Sequence, residues 1–135
     1  MAEIDSLNNT DANNVARFNG ASNVSTVDNA GQALEGMLGR WHHDQDGSNT
    51  TQGSDTAYTI QLNRTGITDH TQVGRICCRF HVANNGACTI TINALSAKPL
   101  KKSGNADLVT GDILINDLKD ICWNAAWSAY QVLGI

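Results

Sequence analysis

The stretch Arg75-Ile76-Cys77-Cys78-Arg79-Phe80-His81-Val82-Ala83-Asn84-Asn85-Gly86-Ala87-Cys88-Thr89-Ile90-Thr91-Ile92-Asn93-Ala94 decides the fold class. Ile76, Cys78, Phe80 and Val82 alternate with Arg75, Cys77, Arg79 and His81. Past Asn84-Asn85-Gly86, Cys88, Ile90, Ile92 and Ala94 alternate with Thr89, Thr91 and Asn93. A side-chain period of two belongs to a strand with one buried face, and β-branched and aromatic residues suit its pleat. An Asn-Gly step between two such runs signals a hairpin. The spacing therefore predicts two adjacent antiparallel strands. Their parity puts Cys78 and Cys88 on the core side, where they can be cross-strand neighbours, and turns Cys77 to the opposite face.

The same period extends on both sides. Tyr58, Ile60 and Leu62 alternate with Thr59, Gln61 and Asn63. Shorter segments follow near Lys98–Lys101, Asp112–Leu118, Asp120–Trp123 and Trp127–Leu133, with turns at Gly104-Asn105 and Thr110-Gly111-Asp112. Short strands with regular punctuation predict a mainly β domain over residues 58–135, a small sandwich or barrel. Residues 47–57 are polar throughout and are expected to form a linker.

Upstream the period changes to about 3.6. Val27, Ala30, Leu34, Met37, Leu38 and Trp41 fall within one stripe roughly 100° wide, which predicts an amphipathic helix over 26–43. Ser25 is the expected N-cap, with Asp28 three residues on, and Asp46-Gly47 stops the helix. The steps from Val27 through Ala30, Leu34 and Met37 to Trp41 are 3, 4, 3 and 4, the a and d positions of a heptad. The stripe either packs on its own β-domain or forms a seam between symmetry-related helices. Gly31, Gly36 and Gly39 leave the helix too weak to stand alone, so it needs a surface to dock on. Residues before it are polar and turn-rich. Ile4, Leu7 and Phe18 are the expected partner contacts of an extended arm. The organisation is then 1–46 arm and docking helix, 47–57 linker and 58–135 β-domain. It predicts that residues 56–135 fold alone and that Leu34→Asp blocks assembly only.

Charge narrows the function. The chain of 135 residues carries 13 acidic and 9 basic residues, for a net charge of −4. Only 16% of residues are charged, so no footprint for nucleic acid or an anionic membrane is present. Residues 1–55 are acidic and residues 56–135 mildly basic. No apolar run has the length of a membrane span. The first ten residues lack the basic start and apolar stretch of a secretory signal, which sets the four cysteines in a reducing compartment. No C-x-x-C pair occurs, so buried free thiols are expected and a zinc site is not. His42 and His43 diverge by about 100° on a helix and cannot chelate one ion together. They, His70 and His81 are read as surface residues. Asp44-Gln45-Asp46-Gly47 resembles part of a calcium loop without its terminal Glu and is read as a helix-stop turn. No residue set suggests catalysis, and no cofactor or metal is expected. Trp123, Trp127 and Tyr130 are expected in the core.

Several strings together resemble one family. They are Asn9-Thr10-Asp11-Ala12-Asn13-Asn14-Val15-Ala16-Arg17-Phe18, the helix segment Ser25 to Asp44, the linker from Gly47-Ser48 to Tyr58, and Phe80 to Leu95 with its Asn-Gly turn. Lys98-Pro99-Leu100, Thr110-Gly111-Asp112 and Trp127-Ser128-Ala129-Tyr130-Gln131-Val132-Leu133 complete the order. The set is similar to bacteriophage tail-fibre and related virion proteins. The resemblance implies a virion component, oligomeric and often trimeric, assembled in the host cytoplasm, with other tail or capsid subunits as partners and no catalytic residues. Family fibres often continue into a shaft and a receptor-binding tip, whereas this sequence reaches Ile135 without room for one. The expectation is therefore a homo-oligomeric surface appendage, tail-fibre-like or head-fibre-like, docked on the particle through its N-terminal segment, such as an appendage base or adaptor. Alternatives are a capsid decoration protein stabilising the head and, third, a carbohydrate-binding module in which Trp123, Trp127 or Tyr130 stacks on host glycan.

Overall fold

The computed structural model describes residues 24–135. One helix, α1 (Val24–Gln45), precedes eight strands. These are β1 (Gln52–Gly53), β2 (Ala57–Ile60), β3 (Arg75–Arg79), β4 (Thr89–Ile92), β5 (Lys98–Lys102), β6 (Ala106–Asp107), β7 (Leu118–Asn124) and β8 (Ala129–Val132). The protein is mainly β, as its alternation predicts. Ser25 lies inside α1, and the helix runs two residues past its expected end before Gly47, at φ +78°, reverses the chain. The arm residues Ile4, Leu7 and Phe18 lie outside the described residues.

Parity reads correctly along the strands. Tyr58, Ile60, Leu62, Ile76, Cys78, Phe80, Cys88, Ile90 and Ile92 are all buried in one core, with Leu100, Ile121, Tyr130 and Val132 across from them. The Tyr58 ring meets Phe80 edge-on with centroids 4.9 Å apart, and its hydroxyl donates to Val82 O at 2.9 Å. Burial pushes the Tyr58 phenol up to about 12. The pattern ends early, because Ala94 is exposed.

Pairing differs from expectation. The strands run β1-β2-β4-β5-β8-β7-β3, with β6 on β5. β2 and β4 are parallel, setting Tyr58 beside Ile90 and Ile60 beside Ile92. β5 and β8 are also parallel. β3 pairs antiparallel with β7, not with β4, so the predicted hairpin is absent. The reason is Asn84. Its side chain turns inward, where Nδ2 donates to Gly86 O and Val109 O and Oδ1 accepts from Ile113 N. The residue spends its side chain on a distant loop, and the chain it would have turned back crosses to β2. The expected strand at Asp112–Leu118 is likewise a pair of turns. Asp112 accepts from Val109 N and Asp117 accepts from Leu114 N, which ties the backbone up locally.

Residues 47–57, expected as a linker, are built into the sheet. Thr50 bridges Arg79, with Thr51 N donating to Arg79 O and Arg79 N donating to Asn49 O. Two residues on, β1 pairs with β2. One continuous segment, residues 49–53, thus bridges β3 at one end of the sheet and forms the outer strand β1 at the other. Thr51 is buried, with its hydroxyl 2.9 Å from His81 Nδ1, so His81 is half-buried and structural. Gly53 cannot be replaced in place. Its φ is +90° and an added Cβ would lie 2.3 Å from Ala57 O.

Candidate docking surface

The helix is fixed at its C-terminal end by a residue that sequence reasoning assigned to a turn. Asp44 is helical and fully buried. Its Oδ1 accepts from Asn49 Nδ2, Asn63 N and Asn63 Nδ2 at 2.7–3.1 Å. Its Oδ2 accepts from Arg64 N at 3.3 Å and Arg64 Nε at 2.8 Å. Arg64, also buried, donates its remaining nitrogens to Gln72 O and Val73 O. Two charges held without water in this way are tolerable only when every polar edge is paired, and here each is.

The neighbouring contacts give the helix its direction. A Cβ at Gly47 would lie 2.9 Å from Leu118 Cδ2 and 3.5 Å from Cys77 Sγ. Gln45 Nε2 donates to Arg75 O. Trp41 and Gln45 line a groove with Arg64, Gln72, Val73, Gly74 and Arg75. Followed backward along α1, the contacts move from Cys77 to Arg75 to Gly74. The C-terminal turns of α1, a helix about 33 Å long at 1.5 Å per residue, therefore lie at the N-terminal end of β3.

The predicted stripe divides in two. Met37 is buried, and Ala30 and Leu34 are half-buried. Val27, Leu38 and Trp41 keep 43%, 47% and 41% of their surface exposed. The stripe thus carries large apolar side chains in water, Val27 and Trp41 at a positions of the heptad and Leu38 beside them. At the helix C-terminus, Ser48 N donates to Asp46 Oδ1 at 2.8 Å and His43 Nδ1 lies 3.0 Å from Asp46 Oδ2. The Ser48 hydrogen bonds, assisted by His43, hold the Asp46 carboxyl at about 2. His42 and His43 are exposed as expected.

The remaining candidates are internal. His70 is half-buried rather than superficial, with Nδ1 2.9 Å from Tyr130 Oη and Nε2 3.2 Å from Ser96 Oγ. Its ring stacks on Trp123 at 4.8 Å. Burial, with Lys98 nearby, lowers its pKa. Tyr130 is enclosed, so it has no face for a sugar, and Trp123 and Trp127 are half-buried. Among the described residues no three His, Cys, Asp or Glu side chains gather as metal ligands would, and no helix is long and apolar enough to cross a membrane.

All four cysteines are free, and β3 and β4 are not neighbours, so Cys78 and Cys88 are not cross-strand partners. Burial pushes the Cys78 thiol up to about 12 and that of Cys88 to about 11. Since the thiolate is the reactive form, both should resist alkylation in the native protein. Intact-mass analysis after maleimide treatment is expected to show at most two labels, on Cys77 and Cys122, and four only in denaturant. Native labelling of Cys78 would mean that the core opens there.

No protein-family model matches this chain, and no curated protein matches it in sequence.

Proposed function

We propose that this chain is a structural subunit of a bacteriophage particle. It self-associates, as a trimer, along the exposed stripe of α1 and docks on tail or capsid subunits through its N-terminal segment. The β-domain, read as a small barrel joined through residues 49–53, projects outward. The observation that carries the docking role is Val27, Leu38 and Trp41 exposed on one apolar stripe of a helix whose base is locked by Asp44 and Arg64. A rigid base matters, because little ordering entropy is then lost when the stripe finds its partner. The mechanism is binding, with apolar burial worth about 25 cal/mol per Å2 along each stripe and repeated by symmetry. The virion assignment is supported by the resemblance in residues 9–18, 25–44 and 80–95.

Leu38→Asp tests this reading, since the side chain is half-exposed and its removal leaves the β-core untouched. The parent is expected to sediment as a trimer and the variant as a folded monomer that still melts cooperatively. A monomeric parent, or a variant that stays assembled, sinks the proposal. Gold-labelled antibody on purified particles then locates it. Label at the tail fits an appendage base or adaptor, and label over the head fits a decoration subunit.

A further inference from the structure

The Asn-Gly step that signals a hairpin makes none, and its chemistry is left over. Asn85 and Gly86 lie on the loop between β3 and β4. Asn84 and Asn85 are neighbours of one residue type used in opposite ways. Asn84 is buried, with its side-chain amide bonded to Gly86 O, Val109 O and Ile113 N. Asn85 is exposed, and its side-chain oxygen accepts only from the Thr110 hydroxyl, at 3.3 Å, among the described residues.

The loop is held everywhere except at the next amide. Asn84 N donates to Ile113 O and Asn85 N donates to Asp55 O. Gly86 N donates to nothing among the described residues. Gly86 has φ +84°, and a Cβ built on it would meet nothing within 4 Å. An amide with no partner to give up and no side chain beside it is well suited to reach the carbonyl carbon of the preceding side chain.

We propose that Asn85 is a spontaneous modification site of the folded chain, deamidated by attack of Gly86 N on its side-chain amide, with water as co-reactant. Hydroxide removes the Gly86 N proton, and the nitrogen bonds to Asn85 Cγ. The Cγ–Nδ2 bond breaks, and Nδ2 leaves as ammonia after taking a proton from water. Charge develops on Oδ1 during the addition, where the Thr110 hydroxyl already donates. Water then opens the cyclic imide. Cleavage at Cγ restores the chain with an aspartate, and cleavage at the main-chain carbonyl of residue 85 leaves the chain running through Cγ as isoaspartate. Either product adds one negative charge. Isoaspartate also lengthens the backbone ahead of Gly86, which draws Gly86 O away from Asn84 Nδ2 and loosens the hold of Asn84 on Val109 and Ile113.

Asp46-Gly47 would pass through the same imide, but its surroundings oppose it. Ser48 and His43 hold the Asp46 carboxyl ionised, and a carboxylate resists attack, while Gly47 is packed against Leu118. The inference is independent of the assembly proposed above.

The test is peptide mapping by mass spectrometry of the full chain kept at mildly alkaline pH, folded and, in parallel, in guanidinium chloride. Asn19-Gly20, which lies outside the described residues, is read as a separate peptide. Conversion at Asn85 in the folded chain is expected to run within a few-fold of its rate in denaturant, with Asn84 and Asp46 unchanged. Conversion more than about tenfold slower in the folded chain would mean that the loop must open first, and overturns the site. Thr110→Val is expected to slow the reaction in the folded chain and not in denaturant, and equal folded rates in variant and parent overturn the part given to Thr110. The chain converted at Asn85, separated by anion exchange, is expected to melt below the parent, and equal melting overturns the coupling through Asn84.

Discussion

Asp44→Ala is expected to destabilise the protein by about 3–5 kcal/mol, the usual consequence of stranding one partner of a buried ion pair. Arg64 would keep its bonds to Gln72 O and Val73 O but lose the carboxylate it is paired with, while remaining out of water. The amides of Asn63 and Arg64 would lose their acceptors in the same step. For a domain of this size such a loss lowers Tm by more than about 10 °C. Circular dichroism melting checks it, and Asp44→Ala combined with Arg64→Met separates the charge from the rest. The double variant should recover part of the loss, because the uncompensated guanidinium has gone. Equal melting of Asp44→Ala and the parent would show that the pair contributes nothing.

Residues 56–135 alone are expected not to hold the native fold. That fragment lacks Asp44, the acceptor for Arg64, and residues 49–53, which bond to Arg79 on one side and to β2 on the other. Tyr58, Ile60 and their neighbours would still collapse, but without fixed packing. Near-ultraviolet circular dichroism should therefore be lost, and urea unfolding should lose its cooperativity. A chain starting at Leu38 keeps Asp44 and residues 49–53 and is expected to fold, without the upper stripe and without self-association. A cooperative 56–135 fragment would show that the helix base is dispensable. The contrast between the two fragments separates the last turn of α1, where Asp44 belongs to the core, from the turns before it, which we propose to face a partner.

The burial pattern was legible because it is local. A strand reports its faces through the residues two apart, so Ile76, Cys78 and Phe80, or Cys88, Ile90 and Ile92, name their own buried side. Pairing is not local. Asn84 has the chemistry of a hairpin turn, yet its side chain bonds Val109 and Ile113, 25 and 29 residues on, and nothing near it announces that. Asp44 fails in the same way. An acid beside His43 and Gln45 reads as solvated, whereas its partners Asn63 and Arg64 arrive from 19 and 20 residues away. The helix stripe was visible as a period, but the division between Met37, buried, and Val27, Leu38 and Trp41, exposed, depends on where α1 leaves the sheet. The exposure of both Leu114 and Ile115 escaped notice because a strand was expected over Asp112–Leu118, which would have hidden every second residue.

Residues 49–53 have one more consequence. A sheet that stops at an open strand offers its unpaired amides and carbonyls as a template for the next chain. Here the segment that begins on Arg79 finishes on β2, and β1, the outermost strand, is two residues long. At β1 and at the Arg79 end of β3 the backbone therefore presents little that a neighbour can copy. Crowding then brings together only the side-chain surfaces, and the choice between ordered assembly and precipitation is left to them.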